Sequence, residues 1–158
     1  MDFTVFLILF VACAAAGATG AAFPPGPWYE RLAKPSWVPP NWMFPVAWTS
    51  IYLLISFAGA RVAAFEGSQY ALAFWALQAG FSTLWTPVFF GLRRFRAAVG
   101  VIAVLWLAVL GCTVTHWQVD AWAGLAFLPY LVWVTVAGAL NVEMDRLNPD
   151  VEPVTPNA

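Results

Sequence analysis

Pro45, Trp48, Tyr52, Ile55 and Gly59 recur at the three- and four-residue spacing that puts side chains on one face of a helix. Pro129, Trp133, Ala137 and Asn141 do the same at strict four-residue spacing. Each stripe sets a large aromatic beside a small or polar residue. Such pairing is what a ligand cavity between helices would use, with flat walls beside space to fill. Ordinary core packing uses the same spacing and is the competing reading. Between the stripes in sequence, Gln78, Ser82, Thr83 and Thr86 bring polar groups into an apolar run that Pro87 interrupts. An amide in such a run needs a partner, so Gln78 is expected to face protein or a cavity.

Catalytic chemistry finds little material. The one histidine, His116, lies at a predicted helix end beside Trp117, with Asp120 one turn on; a lone histidine in that position reads as structural. Cys13 and Cys112 sit in apolar runs without a CxxC or Cys/His companion, and read as small buried hydrophobes rather than metal or redox groups. No Ser/His/Asp set, carboxylate pair, phosphate loop or metal-ligand cluster is apparent.

The elements that would position the stripes are membrane helices. Of 158 residues, 62% are hydrophobic and 9% charged, whereas a soluble surface needs roughly a quarter charged residues. Five stretches approach the ~20 apolar residues of a transmembrane helix: about Phe3–Ala22, Phe44–Ala64, Tyr70–Phe90, Ala97–Thr115 and Ala121–Asn141. Only Arg61 among them is charged, near the end of its segment, where it can snorkel. A cleaved leader is the rival for the first stretch, but the chain starts Met-Asp where a leader has a basic region. Arg31, Lys34, Arg93, Arg94, Arg96 and Arg146 fall on one side and Arg61 on the other, so the first loop and the C-terminus share the positive side. The net charge of −1 gives no case for nucleic acid. Ala76 and Gly80 form a small-xxx-small pair that permits close helix approach and a dimer.

These readings predict an all-α membrane protein: one five-transmembrane-helix domain over residues 1–147 and a flexible polar tail over 148–158. The first loop, about 23–43, is rich in proline and tryptophan and is expected to fold back over the bundle as a structured lid. A single mid-bundle interruption is read at Pro87, and no internal repeat appears, which favours binding over alternating-access transport.

The blocks PWYERLAKPSWVPPNWMFPVAWTSIY, STLWTPVFFG and LPYLVWVTVAGALN closely resemble the signatures of the TspO/MBR family, the tryptophan-rich sensory proteins whose animal members are called translocator protein or peripheral benzodiazepine receptor. The resemblance is that of a bacterial member and spans about residues 28 to 147. It implies a five-helix bundle, usually a homodimer, whose first loop covers a pocket for porphyrins and small lipophilic drugs. By motif position Trp28, Tyr29 and Trp37 belong to the lid, Trp48 and Trp133 are facing pocket indoles, and Ala137 lines the pocket; Tyr52 and Ser82 complete the expected site. The implied ligand is a tetrapyrrole such as protoporphyrin IX or haem, with no intrinsic cofactor. Arg31 or Lys34 would pair with its propionates at the rim. The implied role is tetrapyrrole transport, sensing or light-dependent degradation, the last giving Trp48 and Trp133 a photochemical part; the alternative is a transmembrane carrier for porphyrins or sterols. Two departures stand out. Ser82 occupies a position usually held by Asn, and the cholesterol motif of animal members lacks its aromatic, since LNVEMDR places none before Arg146.

Overall fold

A computed structural model of the chain describes residues 1–154. Asp2 starts the first helix, α1 (Phe3–Ala22): its backbone is extended, and its carboxylate accepts from the N–H groups of Thr4 at 2.7 Å and Val5 at 3.3 Å, two donors that a helix start leaves orphaned. There follow α2 (Pro27–Glu30), α3 (Met43–Val62), α4 (Gln69–Thr86), a π-helical turn (Pro87–Gly91), α5 (Phe95–Val119) and α6 (Ala121–Leu147). The described residues are all-α, with no strand among them.

Four of these helices, α1, α3, α5 and α6, are long and apolar enough to cross a membrane. The sequence expectation was five spans. The remaining long helix, α4, has 18 residues and carries Gln69, Gln78, Ser82, Thr83 and Thr86, and these amides and hydroxyls lower its apolarity. Gln78 and Ser82 are buried together with Ala71 and Trp75, so these two polar groups lie on the inward face, while Gln69 is exposed.

The long helices form a ring. α5 lies between α4 and α6, α3 lies between α1 and α6, and α1 touches α4. Ile55, Val62, Trp75, Val109, Phe127 and Val134 anchor the core inside it. Outward-facing Phe3, Ile8, Val11, Leu107 and Val132 are exposed, as a lipid-facing surface requires. Gly59 lies where α1 and α4 crowd α3: a Cβ there would lie 2.6 Å from Leu9 Cδ1 and 3.2 Å from Trp75 Nε1, which donates to the Ile55 carbonyl at 2.9 Å.

Pro87 lacks an N–H and its ring crowds the carbonyl four residues back. The chain answers with a wider turn, in which Leu92 N donates to the Pro87 carbonyl at 2.8 Å. Arg93, at φ 53°, then breaks the helix. At the opposite end of the bundle, Asp120 ends α5 and begins α6, its carboxylate accepting from Ala123 N at 2.9 Å. Arg61 reaches sideways to the same carboxylate, Nε to Oδ1 at 3.0 Å, where free snorkelling was the expectation. That hydrogen bond holds the Asp120 carboxyl below the usual carboxylate range.

α5 runs past the apolar stretch to Val119, so His116 stands inside the helix. It is fully buried, with Nδ1 2.8 Å from the Cys112 carbonyl and its ring against Phe127. Of the predicted tail, residues 155–158 lie outside the described residues. Val151 packs with Phe89, Phe95 and Met144, and Val154 N donates to the Leu92 carbonyl at 2.9 Å.

Candidate functional site: two spaces sharing the Trp48 wall

Phe44, Trp48 and Tyr52 fall at four-residue spacing on α3, so their rings stack along one face. Trp48 lies 5.4 Å from Tyr52 and meets Tyr130 of α6 edge-on at 5.8 Å, while Phe44 meets Trp133 edge-on at 5.5 Å. Two spaces lie along this aromatic wall. The inner one, about 30 Å³, is lined by Phe44, Trp48, Ser82, Trp85, Ile102, Leu105, Trp133, Val134 and Ala137. The other, about 470 Å³, lies among α1, α3 and α4 and is lined by Gly17, Gly20, Phe44, Trp48, Tyr52, Ser82 and Thr86, among others. Phe44, Trp48 and Ser82 border both.

The inner space has room for about one water. The outer one falls within the ~300–1,000 Å³ of ligand pockets. Small residues create it: a Cβ on Gly17 would sit 3.0 Å from the Tyr52 ring, and a Cβ on Gly20 would point into open space.

Polar groups here are sparse. Trp85 Nε1 donates to Asn141 Oδ1 at 3.2 Å, and Asn141 Nδ2 donates to the Ala137 carbonyl at 2.8 Å. The Tyr130 hydroxyl and Gln78 Nε2 are buried with no partner among the described residues. Neither residue lines the two spaces, whose own polar side chains are Ser82, Tyr52, Thr19, Thr49 and Thr86 with the Trp indoles.

The structure divides the residues expected from sequence into separate places. Trp48, Ser82, Trp133 and Ala137 line the inner space, and Tyr52 joins Trp48 and Ser82 on the outer one. Trp28 and Tyr29 lie over the ends of α4, α5 and α6: Trp28 stacks on Phe95 at 6.3 Å, and Tyr29 meets Phe90 edge-on at 5.3 Å. Burial there raises the Tyr29 phenol pKa. Trp37 is 47% exposed and Arg31 is exposed, and neither borders these two spaces. Lys34 donates to the carbonyls of Tyr29 at 2.7 Å, Glu30 at 3.2 Å and Leu32 at 3.4 Å, closing the short helix α2. Its three donors face backbone rather than a ligand.

Phe44, Trp85 and Tyr130 were absent from the residues expected from sequence. Phe44 had a signal, since it precedes Trp48 by one helical turn, and Trp85 stands inside the STLWTP block. Tyr130 follows Pro129 and falls outside the stripe that Pro129 begins, so spacing gave no hint of it.

The pattern of the TspO/MBR family matches residues 6–147. The chain is 54% identical over 159 residues to "Protein CrtK" of Rhodobacter capsulatus, covering 98% of this chain and 99% of that protein. It is 52% identical over 148 residues to "Tryptophan-rich sensory protein" of Cereibacter sphaeroides, covering 94% of each. Against the human "Translocator protein" it is 29% identical over 119 residues, covering 72% of this chain and 70% of that one. With apolar helices long enough to span a bilayer and a family match over nearly its whole length, the chain is a membrane protein that belongs to the TspO/MBR family.

Proposed function

We propose that this protein is a five-helix membrane bundle that binds a tetrapyrrole, protoporphyrin IX or haem, or another lipophilic ligand against the indoles of Trp48 and Trp133, beneath its first loop as a lid. The observation that carries the reading is that α3 and α6 bring Trp48, Trp133 and Ala137 to one cavity. A macrocycle does not fit the inner space as it stands. Swinging Phe44 away from Trp133 would join it to the larger space, since the Phe44 ring borders both. Arg31, exposed and outside the ion pairs of the described residues, is the better placed of the two expected rim cations, because Lys34 is held by carbonyls.

Relatives named as sensory and translocator proteins support sensing or movement of such a ligand. A carrier for porphyrins or sterols is the alternative, and flux in sealed proteoliposomes separates it from a binding protein. Light-dependent breakdown is a third use of the same site; equal loss of porphyrin absorbance under illumination with wild type and Trp133→Phe would remove that indole from it. The outer face of α4 exposes Ala76 and Gly80, which supports a homodimer through that helix.

The test is quenching of tryptophan fluorescence by protoporphyrin IX in detergent. Saturable micromolar quenching that is lost in a folded Trp48→Ala, Trp133→Ala variant is expected. Linear quenching unchanged by the variant would mean nonspecific partitioning and would defeat the pocket reading.

A further inference from the structure

The turn between α4 and α5 reads Arg93-Arg94-Phe95-Arg96, and its three arginines edge a hollow of about 430 Å³ whose other side is built by Asp145, Asn148 and Val151. Their positive charge is poorly matched. Asp145 lies 3.6 Å from Arg96 Nε, a loose pair in which the Arg96 side chain is 91% exposed. Arg94 is exposed and makes no ion pair among the described residues. Arg93 lies with its guanidinium 4.7 Å from the Trp28 ring, and its Nε is buried without a partner there. Asp150 and Glu152 flank the hollow in sequence, yet neither comes within 4 Å of these arginines to form a pair.

The same hollow meets the start of α5, a helix of 25 residues that has no side-chain cap. The first-turn N–H groups and the positive end of the helix dipole add to the arginine charge there. α5 is apolar and long enough to cross a membrane, so its arginine-flanked start belongs to one membrane surface, where headgroups lie. The anion present in quantity there is a lipid phosphate, whose oxygens accept the forked donors of arginine.

We propose that Arg93, Arg94 and Arg96, with the first turn of α5, form a binding site for the phosphate of an anionic membrane lipid. A headgroup without its own cation is preferred, because choline would bring a positive charge against the arginines. Asp145 limits the affinity by opposing the phosphate.

The experiment uses the full chain, stripped of lipid in neutral detergent, with thermal unfolding followed by tryptophan fluorescence. Short-chain phosphatidylglycerol, short-chain phosphatidylcholine and inorganic phosphate are titrated in separate arms. Phosphatidylglycerol should raise the melting temperature saturably, and phosphatidylcholine should not. Arg94→Gln should weaken the midpoint about fivefold, the effect of one basic residue at a membrane surface. Arg31→Gln, which removes the same charge from the same side, should leave it unchanged, and Asp145→Asn should tighten it. Equal weakening by Arg31→Gln and Arg94→Gln would reduce the site to a diffuse field and overturn the proposal. Inorganic phosphate matching the lipid at equal concentration would overturn the lipid as its source.

Discussion

Asn148 holds Ala33 by both backbone groups. Ala33 N donates to Asn148 Oδ1 at 2.9 Å, and Asn148 Nδ2 donates to the Ala33 carbonyl at 2.9 Å. The pair copies one rung of a β-ladder with a side chain in place of the second strand. Asn148 Nδ2 also donates to the Met144 carbonyl at 2.9 Å, so the residue that finishes α6 also fastens the first loop. Removing it leaves the exposed Ala33 carbonyl and N–H to water. Asn148→Ala should therefore loosen the loop while leaving the helices in place. Hydrogen exchange of the peptide containing Ala33 should accelerate at least tenfold, the effect of losing about 1.4 kcal/mol of local stability. Unchanged exchange would show that the aromatic contacts of Trp28 and Tyr29 hold the loop without the clamp.

The Arg61–Asp120 contact gives a pH dependence with a definite sign. Asp120 has a lowered pKa in the folded protein, so the folded state binds a proton there less readily than the unfolded chain. Its contribution is complete above the unfolded carboxylate value of about 4 and is lost as pH falls through the lower folded value. Melting temperature should fall over that acidic range in wild type and change less in Asp120→Asn. At neutral pH, Asp120→Ala should melt lower than Asp120→Asn, because alanine also removes the acceptor for Ala123 N.

Three glycines should respond differently to alanine. At Gly124 a Cβ would lie 2.6 Å from Trp117 Cβ and 2.7 Å from Trp117 Cα, and backbone cannot yield cheaply; Gly124→Ala should cost about 1–3 kcal/mol. At Gly59 the nearest atom is the flexible end of Leu9, at 2.6 Å, so the cost should be smaller. A Cβ on Gly80 would meet nothing within 4 Å, and alanine there should stabilise the monomer by up to about 1 kcal/mol. Thermal melts of the three variants in one detergent give the order. A destabilised Gly80→Ala that also shifts to a smaller species by light scattering would place Gly80 in a dimer contact.

Phe44 borders both spaces with Trp48 and Ser82, and Phe44→Ala is expected to merge them. Protoporphyrin IX quenching should saturate at lower concentration in this variant, with a stability loss of about 1–3 kcal/mol because the ring is only partly buried. Weaker binding would make Phe44 a wall of the bound site instead of a gate.

Helix positions were legible where hydrophobicity and capping coincide. α1 runs from Phe3 to Ala22 as its apolar run reads, because Asp2 caps it and Pro24 follows. They were less legible where a helix outlasts its apolar stretch. α6 continues through Asn141 to Leu147 and α5 to Val119, since hydropathy marks the lipid-crossing part and not the hydrogen-bonded length. The count of five spans rested on α4, whose Gln78 and Ser82 are inward and so do not oppose a membrane face. Helical spacing grouped Trp48 with Tyr52, whose rings lie 5.4 Å apart, and Trp133 with Ala137, which line one space. It could not register α3 against α6, which is why the Phe44–Trp133 and Trp48–Tyr130 contacts went unseen. The clamp of Asn148 on Ala33 joins positions 115 residues apart in sequence and leaves no periodic trace.

Lys34 is the chain's single lysine, and its ammonium is already surrounded by the carbonyls of Tyr29, Glu30 and Leu32 and the face of the Tyr29 ring. Apart from the α-amino group of Met1, it is the chain's one amine. An amine-directed reagent applied to the folded protein therefore reads a single question at this position: while α2 is closed the nitrogen is shielded and labels slowly, and once the loop detaches it labels like any solvent-facing lysine. The protein thus contains its own chemical reporter for the state of its first loop.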